Sequence, residues 1–487
     1  MAQRINEVQR DAILRLLAQG LDRQAIAYQV GVTPGQVSAV AAHVKMGTYT
    51  LPTAPSRNLK PTSSTGTAAP STAMPSLLDH VLAKHRRSEG TLHVAPIFLG
   101  TDAESRSEVF WNPDPDSGAA NPHVLVLGES GFGKTYTISA LLAELAQQHV
   151  VSIVLDYGQG FAADGAPKEF LEAASPKHIH ASQDGVAINP LQIFPSDIHG
   201  PLNVAQRVAD TFLRVYPKLG VQQHAVLRQA VIDALAAEGI VSDDRLTWTQ
   251  KAPTFGSVQK RLTYLAEGAQ TAQSRLAASV ASHISSVFVF NTFRESGRPL
   301  AWGDMLRAGG VFVIQLKGLE YSLERAITEF LLWNLIGFIE SLGPRPLRCF
   351  VVLDEAHRLS FDEGSPTEKL LREGRKFGLG LILASQQPED FSAVAFGNTA
   401  TKLVFQVGDD NGVISRQLHR KLRSSHSLLQ VAELITKLPR GWAYVVSENV
   451  GRVVQIANLA SRTQTWGVRN RSTQQGAVES EADSKPL

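Results

Sequence analysis

The stretch HVLVLGESGFGKTYTISALLAELAQQ, residues 123–148, decides how the rest of the chain is read. A short apolar strand, Val124 to Leu127, runs into Gly128-Glu129-Ser130-Gly131-Phe132-Gly133-Lys134-Thr135, and an amphipathic helix follows. Strand, glycine-rich turn and helix in this order make a phosphate-binding loop. The three glycines let backbone N–H groups turn inward, and the positive end of the helix adds to their pull on an anion. In this pattern Lys134 reaches the outer phosphates of a nucleoside triphosphate and Thr135 ligates Mg²⁺, while Tyr136 completes the nucleotide-binding run from Gly128.

A matching acidic partner lies downstream in RCFVVLDEAHRLS, residues 348–360. The apolar run ends at Asp354-Glu355, which places two carboxylates at the C-terminal end of a buried strand. There Asp354 can hold the Mg²⁺ shell and Glu355 can polarise an attacking water. The next block, KLLREGRKFGLGLILASQQPEDF (369–391), carries Arg372, Arg375 and Lys376 on a helix that Gly378 ends. A strand then delivers Ser385-Gln386-Gln387 to the sheet edge, where an amide can bond a γ-phosphate or the lytic water. Arg375, and after it Arg372, are candidates for a finger reaching a neighbouring subunit's nucleotide; the plainer reading is a solvated helix face or a structural ion pair.

Working outward, apolar runs at 124–127, 151–155, 311–316, 349–353 and 380–384 predict a mostly parallel α/β sheet with crossover helices. Between 200 and 300, Val204, Val208 and Phe212, then Leu227, Val231 and Leu235, recur at helical spacing and predict a helical insertion. Near the N-terminus Ile13, Leu16 and Leu17 share one helix face, which Gly20 ends. A turn at Gly31 follows, and a further helix is capped by Thr33 with Pro34 first. This resembles a helix-turn-helix. Its last helix offers Gln36, Ser38, Ala39 and His43, with little Arg or Lys for phosphates, so DNA binding and protein contact both stay open. Residues 51–75 hold five prolines and nine Ser/Thr, the composition of an extended linker. The division expected is 1–48 helical unit, 49–90 linker, 91–462 catalytic domain and 463–487 polar tail.

Bulk properties narrow the class without naming a substrate. The 487 residues are 43% hydrophobic and 19% charged, as in a globular protein, and the net charge of +2 neither demands nor excludes a nucleic acid. A single cysteine, Cys349, excludes a disulfide framework within the chain. The most membrane-like run, AITEFLLWNLIGFI (326–339), is too short to span and contains Glu329 and Asn334, so it reads as a buried helix. A soluble, cytoplasmic chain is expected.

LVLGESGFGKT, AINPLQ (187–192), VVLDEAH, REGRKFGLGLILASQQP and GNTATKLVFQV (397–407) together resemble the HerA/FtsK superfamily of pumping ATPases over about 95–460. The resemblance implies a RecA-like core, ATP and Mg²⁺ as cofactors, and a homo-hexameric ring around double-stranded DNA. It also implies a nuclease or other effector as partner, in DNA processing or antiviral defence. It makes Gln386 the sensor glutamine and sets Asn398 and Thr399 in a shared segment. Two departures stand out: Gln387 occupies a position where relatives often carry Arg, and the usual N-terminal β-barrel is replaced by the helical unit and short strands near IFLGTD and VFWNP. Loops 158–168 and 317–325 are candidates for the channel lining. Two other readings compete, a secretion or conjugation ATPase and a non-translocating ATPase scaffold.

Overall fold

The computed structural model describes residues 94–114, 120–268, 271–293, 300–409, 412–420 and 427–462. Of the first 93 residues it describes 10, 13, 14, 17, 26, 27, 30, 32 and 34–45. The chain divides into two compact units, Met1–Ser76 and Leu77–Leu487.

In the first unit the helix Pro34–Lys45 starts at the expected proline. Ile13, Leu14, Ile26, Ala27, Val37 and Val40 form its small core, with Leu17 packed partly against it. Ala39 and His43 are exposed, Gln36 and Ser38 half-buried. Leu16, Gly20, Gly31 and Thr33 lie outside the described residues, as do the 49–90 linker and the 463–487 tail.

The second unit is built on one sheet. Its strands are β1 Ile97–Asp102, β2 Glu108–Trp111, β3 Val124–Leu127, β4 Val151–Asp156, β5 Lys177–His180 and β6 Gly310–Gln315. β7 Cys349–Leu353, β8 Leu379–Ser385, β9 Thr401–Val404, β10 Trp442–Ser447 and β11 Val450–Ile456 complete it among the described residues. The spatial order is β2-β1-β11-β10-β9-β3-β8-β7-β4-β6-β5. From β9 to β5 all neighbours are parallel, and β10, β11, β1 and β2 extend the sheet antiparallel. The five apolar runs read from the sequence are β3, β4, β6, β7 and β8. Each is buried nearly throughout, as parallel strands covered on both faces must be.

Alternation assigns the two faces. Leu125, Leu127, Ile153 and Leu155 join a core with the insertion helices and the long helix Tyr321–Leu342. Val124, Val126 and Val154 point to the opposite core, against the helix Lys134–Gln147. The insertion contains the helices Pro201–Val215, Val221–Ala237, Gly256–Glu267 and Ala272–His283. Phe212 stacks on Phe255 at 5.9 Å, and Phe293 meets Phe330 edge-on at 5.3 Å, which fastens the insertion to the long helix.

That long helix contains the 326–339 run, and its two polar residues are satisfied inside the protein. Glu329 pairs with Arg214 at 2.7 Å, and Asn334 accepts a 2.8 Å hydrogen bond from the Trp302 indole. No described helix is long and apolar enough to cross a membrane. Cys349 is buried in β7, where the absence of water pushes its thiol pKa up. The short strands near IFLGTD and VFWNP are β1 and β2, which pair with each other and, through β11, continue the main sheet.

Candidate functional site

The sheet order decides the site. β8 lies between β3 and β7, and all three run parallel, so their C-terminal ends emerge at one edge. Leu127, Ser385 and Leu353 are far apart in sequence, yet the residues following them meet there. At the C-terminal edge of a parallel sheet, loops are free to carry ligand-binding groups while the strands fix their positions.

The glycine-rich loop has the backbone its residues imply. Gly133 takes φ 114°, closed to residues with a Cβ, and leads into the helix at Lys134. Gly128 has no room for a side chain, since a Cβ there would lie 2.6 Å from that of Phe405 on the segment after β9. Glu129, Ser130 and Gly131 are exposed, while Phe132 packs partly against the core under the P-loop helix. Lys134 is buried and donates to the carbonyls of Gly128 at 2.6 Å and Glu129 at 2.9 Å. Burial pulls its ammonium below the usual lysine range, opposed by the charges of Asp354, Glu355 and Glu129. Thr135 is half-buried at the helix start, with Gly160 close against it: a Cβ on Gly160 would come 2.7 Å from the Thr135 methyl.

Asp354 and Glu355 follow β7 as expected. Burial, then the neighbouring Glu355 and Asp156, push the Asp354 carboxyl up to about 6, although one side remains open to solvent. Asp156 ends the adjacent β4 and is fully buried, accepting from the N–H groups of Gly158 at 3.0 Å and Phe161 at 3.3 Å. Burial raises its pKa as well. Two neighbouring carboxyls with raised pKa values, Asp354 beside Lys134 and Asp156 next to Asp354, suit a place where a cation is to be bound. Thr135 and Asp354 fit Mg²⁺ on that ground, with Asp156 behind them.

Glu355 adopts a left-handed conformation, φ 66°, which costs an L-residue roughly 1–2 kcal/mol and aims its side chain across the edge. The Gln386 amide, after β8, donates to Glu355 Oε1 at 3.3 Å. His357 Nδ1 lies 3.3 Å from Glu355 Oε2. The structure therefore brings Lys134, Thr135, Asp354, Glu355 and Gln386 together.

It does not bring the arginines there. Arg375 belongs to a turn before β8, at the opposite edge of the sheet from Gln386, and donates to the Ala120 carbonyl. Arg372 pairs with Glu368 one helical turn away. Within one chain neither reaches the nucleotide loop. Asn398 and Thr399 end the short helix before β9 at that same far edge and bond back to Val394 and Ala395.

Several supporting contacts join residues that the sequence does not connect, Tyr136 of the nucleotide-binding run among them. The Tyr136 hydroxyl accepts from the Leu459 N–H at 3.0 Å, and buried Arg462 pairs with Glu144 of the P-loop helix at 2.8 Å. Both tie that helix to a segment more than 300 residues downstream. His123, buried before β3, accepts from the Leu381 N–H at 3.0 Å; burial and nearby Arg375 hold its pKa down at about 4, so it stays neutral. Asp156 ends β4 one residue beyond the apolar run 151–155, and only its burial beside β7 marks it.

A protein family described as "Helicase HerA, central domain" matches residues 116–335. The DNA double-strand break repair helicase HerA of Sulfurisphaera tokodaii is 22% identical over 389 residues, covering 76% of this chain and 70% of its own. The structure of VirB4 of Thermoanaerobacter pseudethanolicus superposes with a TM-score of 0.59 at 20% identity, covering 76% of this chain and 98% of that one. Over residues 116–335 the chain is thus similar to the HerA central domain, and its fold is that of a P-loop ATPase. The HerA match ends at 335, before Asp354, Glu355 and Gln386, and it is the strand order that carries those residues into the site.

Proposed function

We propose that this chain is an ATP-hydrolysing ring motor that translocates double-stranded DNA and works with a nuclease or another effector. The observation that carries the hydrolytic part is the hydrogen bond from Gln386 to Glu355 beside Lys134. A water-activating carboxylate and its orienting amide thus stand ready at the edge where the phosphate loop opens.

In the proposed reaction ATP lies along Gly128–Thr135, with its phosphates taking donors from the loop backbone and the helix N-terminus. Lys134 exchanges its bonds to the Gly128 and Glu129 carbonyls for bonds to the β- and γ-phosphates. Thr135 and Asp354 would hold Mg²⁺, which neutralises phosphate charge. Glu355 accepts a proton from water as its oxygen attacks the γ-phosphorus; the bond to the bridging oxygen breaks and ADP leaves with those electrons. Gln386 fixes the direction of that water.

Arg375 lies on the sheet edge away from its own Lys134, and the role proposed for it is on the neighbouring subunit's nucleotide. The proposed assembly is a homo-hexamer. Translocation of DNA is supported by the name of the Sulfurisphaera tokodaii relative, a DNA repair helicase. The VirB4 likeness concerns fold alone and does not favour a secretion motor.

The test is ATP turnover by the full chain with and without duplex DNA, across a salt series. Stimulation that weakens steeply with salt is the expected result. Turnover indifferent to duplex at every salt concentration would leave an ATPase without the DNA track proposed for it.

A further inference from the structure

Beyond the catalytic residues, the turn after Glu355 has a second set of contacts that hydrolysis does not use. Residues Ala356–Arg358 form one tight turn, closed by bonds from Arg358 N–H to the Glu355 carbonyl at 3.0 Å and from Leu359 N–H to Ala356. Arg358 pairs with Glu324, whose side chain is only 6% exposed. Its guanidinium carbon also lies 5.4 Å from the Tyr157 ring and 5.6 Å from the Tyr321 ring. The Tyr321 hydroxyl donates to the His357 carbonyl at 3.2 Å.

The two tyrosines belong to different loops. Tyr157 follows β4 and opens the 158–168 loop, where Gly158, Gln159 and Asp164 are exposed. Tyr321 begins the long helix immediately after the 317–320 loop, where Lys317, Gly318 and Glu320 are exposed. Tyr157 is itself anchored to that helix through Thr328 at 2.7 Å, and Leu316 N–H bonds the Asp156 carbonyl at 2.9 Å. One guanidinium therefore joins the Glu355 turn to both loops proposed to face the polymer.

A planar cation against two aromatic faces can slide without losing its partners, whereas the buried carboxylate of Glu324 keeps it from leaving. Glu355 sits in a left-handed conformation one turn upstream, so a change in its backbone moves Arg358 directly. These are the parts a coupling element needs: a strained trigger, a rigid turn and an adjustable contact.

We propose that Arg358 is a positioning residue that carries the nucleotide state sensed at Glu355 to the 158–168 and 317–320 loops. The proposal rests on the ATPase reading, and its DNA consequence rests on the translocase reading. A merely structural Arg358 would affect stability but not the nucleotide dependence of the loops.

The experiment is amide hydrogen exchange over 316–323 in the full chain, with and without a non-hydrolysable ATP analogue. Basal and duplex-stimulated ATP turnover are measured beside it for the unsubstituted chain, Arg358→Lys and Tyr321→Phe. The unsubstituted loop is expected to change its exchange on nucleotide binding. Arg358→Lys, which keeps the charge and loses the planar contact, should lose that change, and its ratio of stimulated to basal turnover should fall about fivefold or more. Tyr321→Phe keeps the ring and should lose part of both.

Equal nucleotide responses in all three proteins would overturn the relay, as would an unsubstituted loop that ignores the nucleotide. Should the loop respond and both variants blunt it while duplex DNA stimulates none of them, the relay stands and the DNA reading falls.

Discussion

The Gln386 amide donates to the Glu355 carboxylate at 3.3 Å, across a gap of 31 residues in sequence and one strand spacing in the sheet. The bond forms because β7 and β8 are parallel neighbours that end at the same level. The backbone of Glu355 is left-handed there, beside Asp354, and a water placed between amide and carboxylate would be oriented by both.

From this follows the first expectation. Glu355→Gln should bind nucleotide normally and lose turnover by about 10²-fold or more, since proton transfer to a positioned base contributes on that scale. Gln386→Ala should lower kcat with KM little changed, as expected of a residue proposed to orient water and not to hold ATP. Comparable kcat and KM losses in Gln386→Ala would make it a nucleotide ligand instead.

Lys134→Ala tests the phosphate loop itself. Its ammonium now bonds two carbonyls of its own loop, so its removal leaves the fold intact while nucleotide affinity and turnover fall together. Nucleotide titration and thermal unfolding of the same sample give both readouts. Unchanged affinity would contradict the assignment.

Asp354 makes stability depend on pH in a direction that can be worked out. Its folded-state carboxyl is raised to about 6 from an ordinary value of 3.8. The ionised form is therefore disfavoured in the folded protein, and stability falls as pH rises between about 4 and 6. In the nucleotide-free chain Asp354→Asn should be more stable at pH 7, by on the order of 2 kcal/mol after discounting for the open side of the site. The advantage should shrink as pH drops below 5. An advantage that is the same at pH 4.5 and 7 would assign the effect to packing.

The Arg375 proposal is tested by mixing subunits. Lys134→Ala chains lack a working loop but keep Arg375, and Arg375→Ala chains are the reverse. Some mixed interfaces join an intact loop to an intact arginine, so hydrolysis should partly recover on mixing. No recovery in stable mixed rings would remove the trans role. Arg372, already paired with exposed geometry to Glu368, should show a much smaller loss when replaced.

The Arg214–Glu329 pair joins the insertion to the long helix, with side chains 13% and 7% exposed. Glu329→Ala should cost about 3–5 kcal/mol, because it strands a buried guanidinium. Arg214→Met with Glu329→Leu should recover most of that. A small loss in Glu329→Ala would mean that water reaches the pair.

The phosphate loop, the five central strands, the insertion helices and the acidic pair at 354–355 were legible along the chain. Each is coded by local order: glycines where φ must be positive, apolar runs where both faces are covered, carboxylates where a strand stops. The partnership of Gln386 with Glu355 was not written in that order, since no local pattern says that β8 lies between β3 and β7. The same limit hid Asp156, Arg462 and the bond of Tyr136 to Leu459, whose meaning comes from what packs against them. It also left unsaid that the arginines stand apart from their own chain's nucleotide loop. Arg375 stands only eleven residues before Gln386, but the length of β8 separates them, because an extended strand carries its two ends to opposite edges of a sheet. Local sequence determined that a nucleotide loop and its acids exist; the parallel strand order, a long-range property of packing, decided which residues face them.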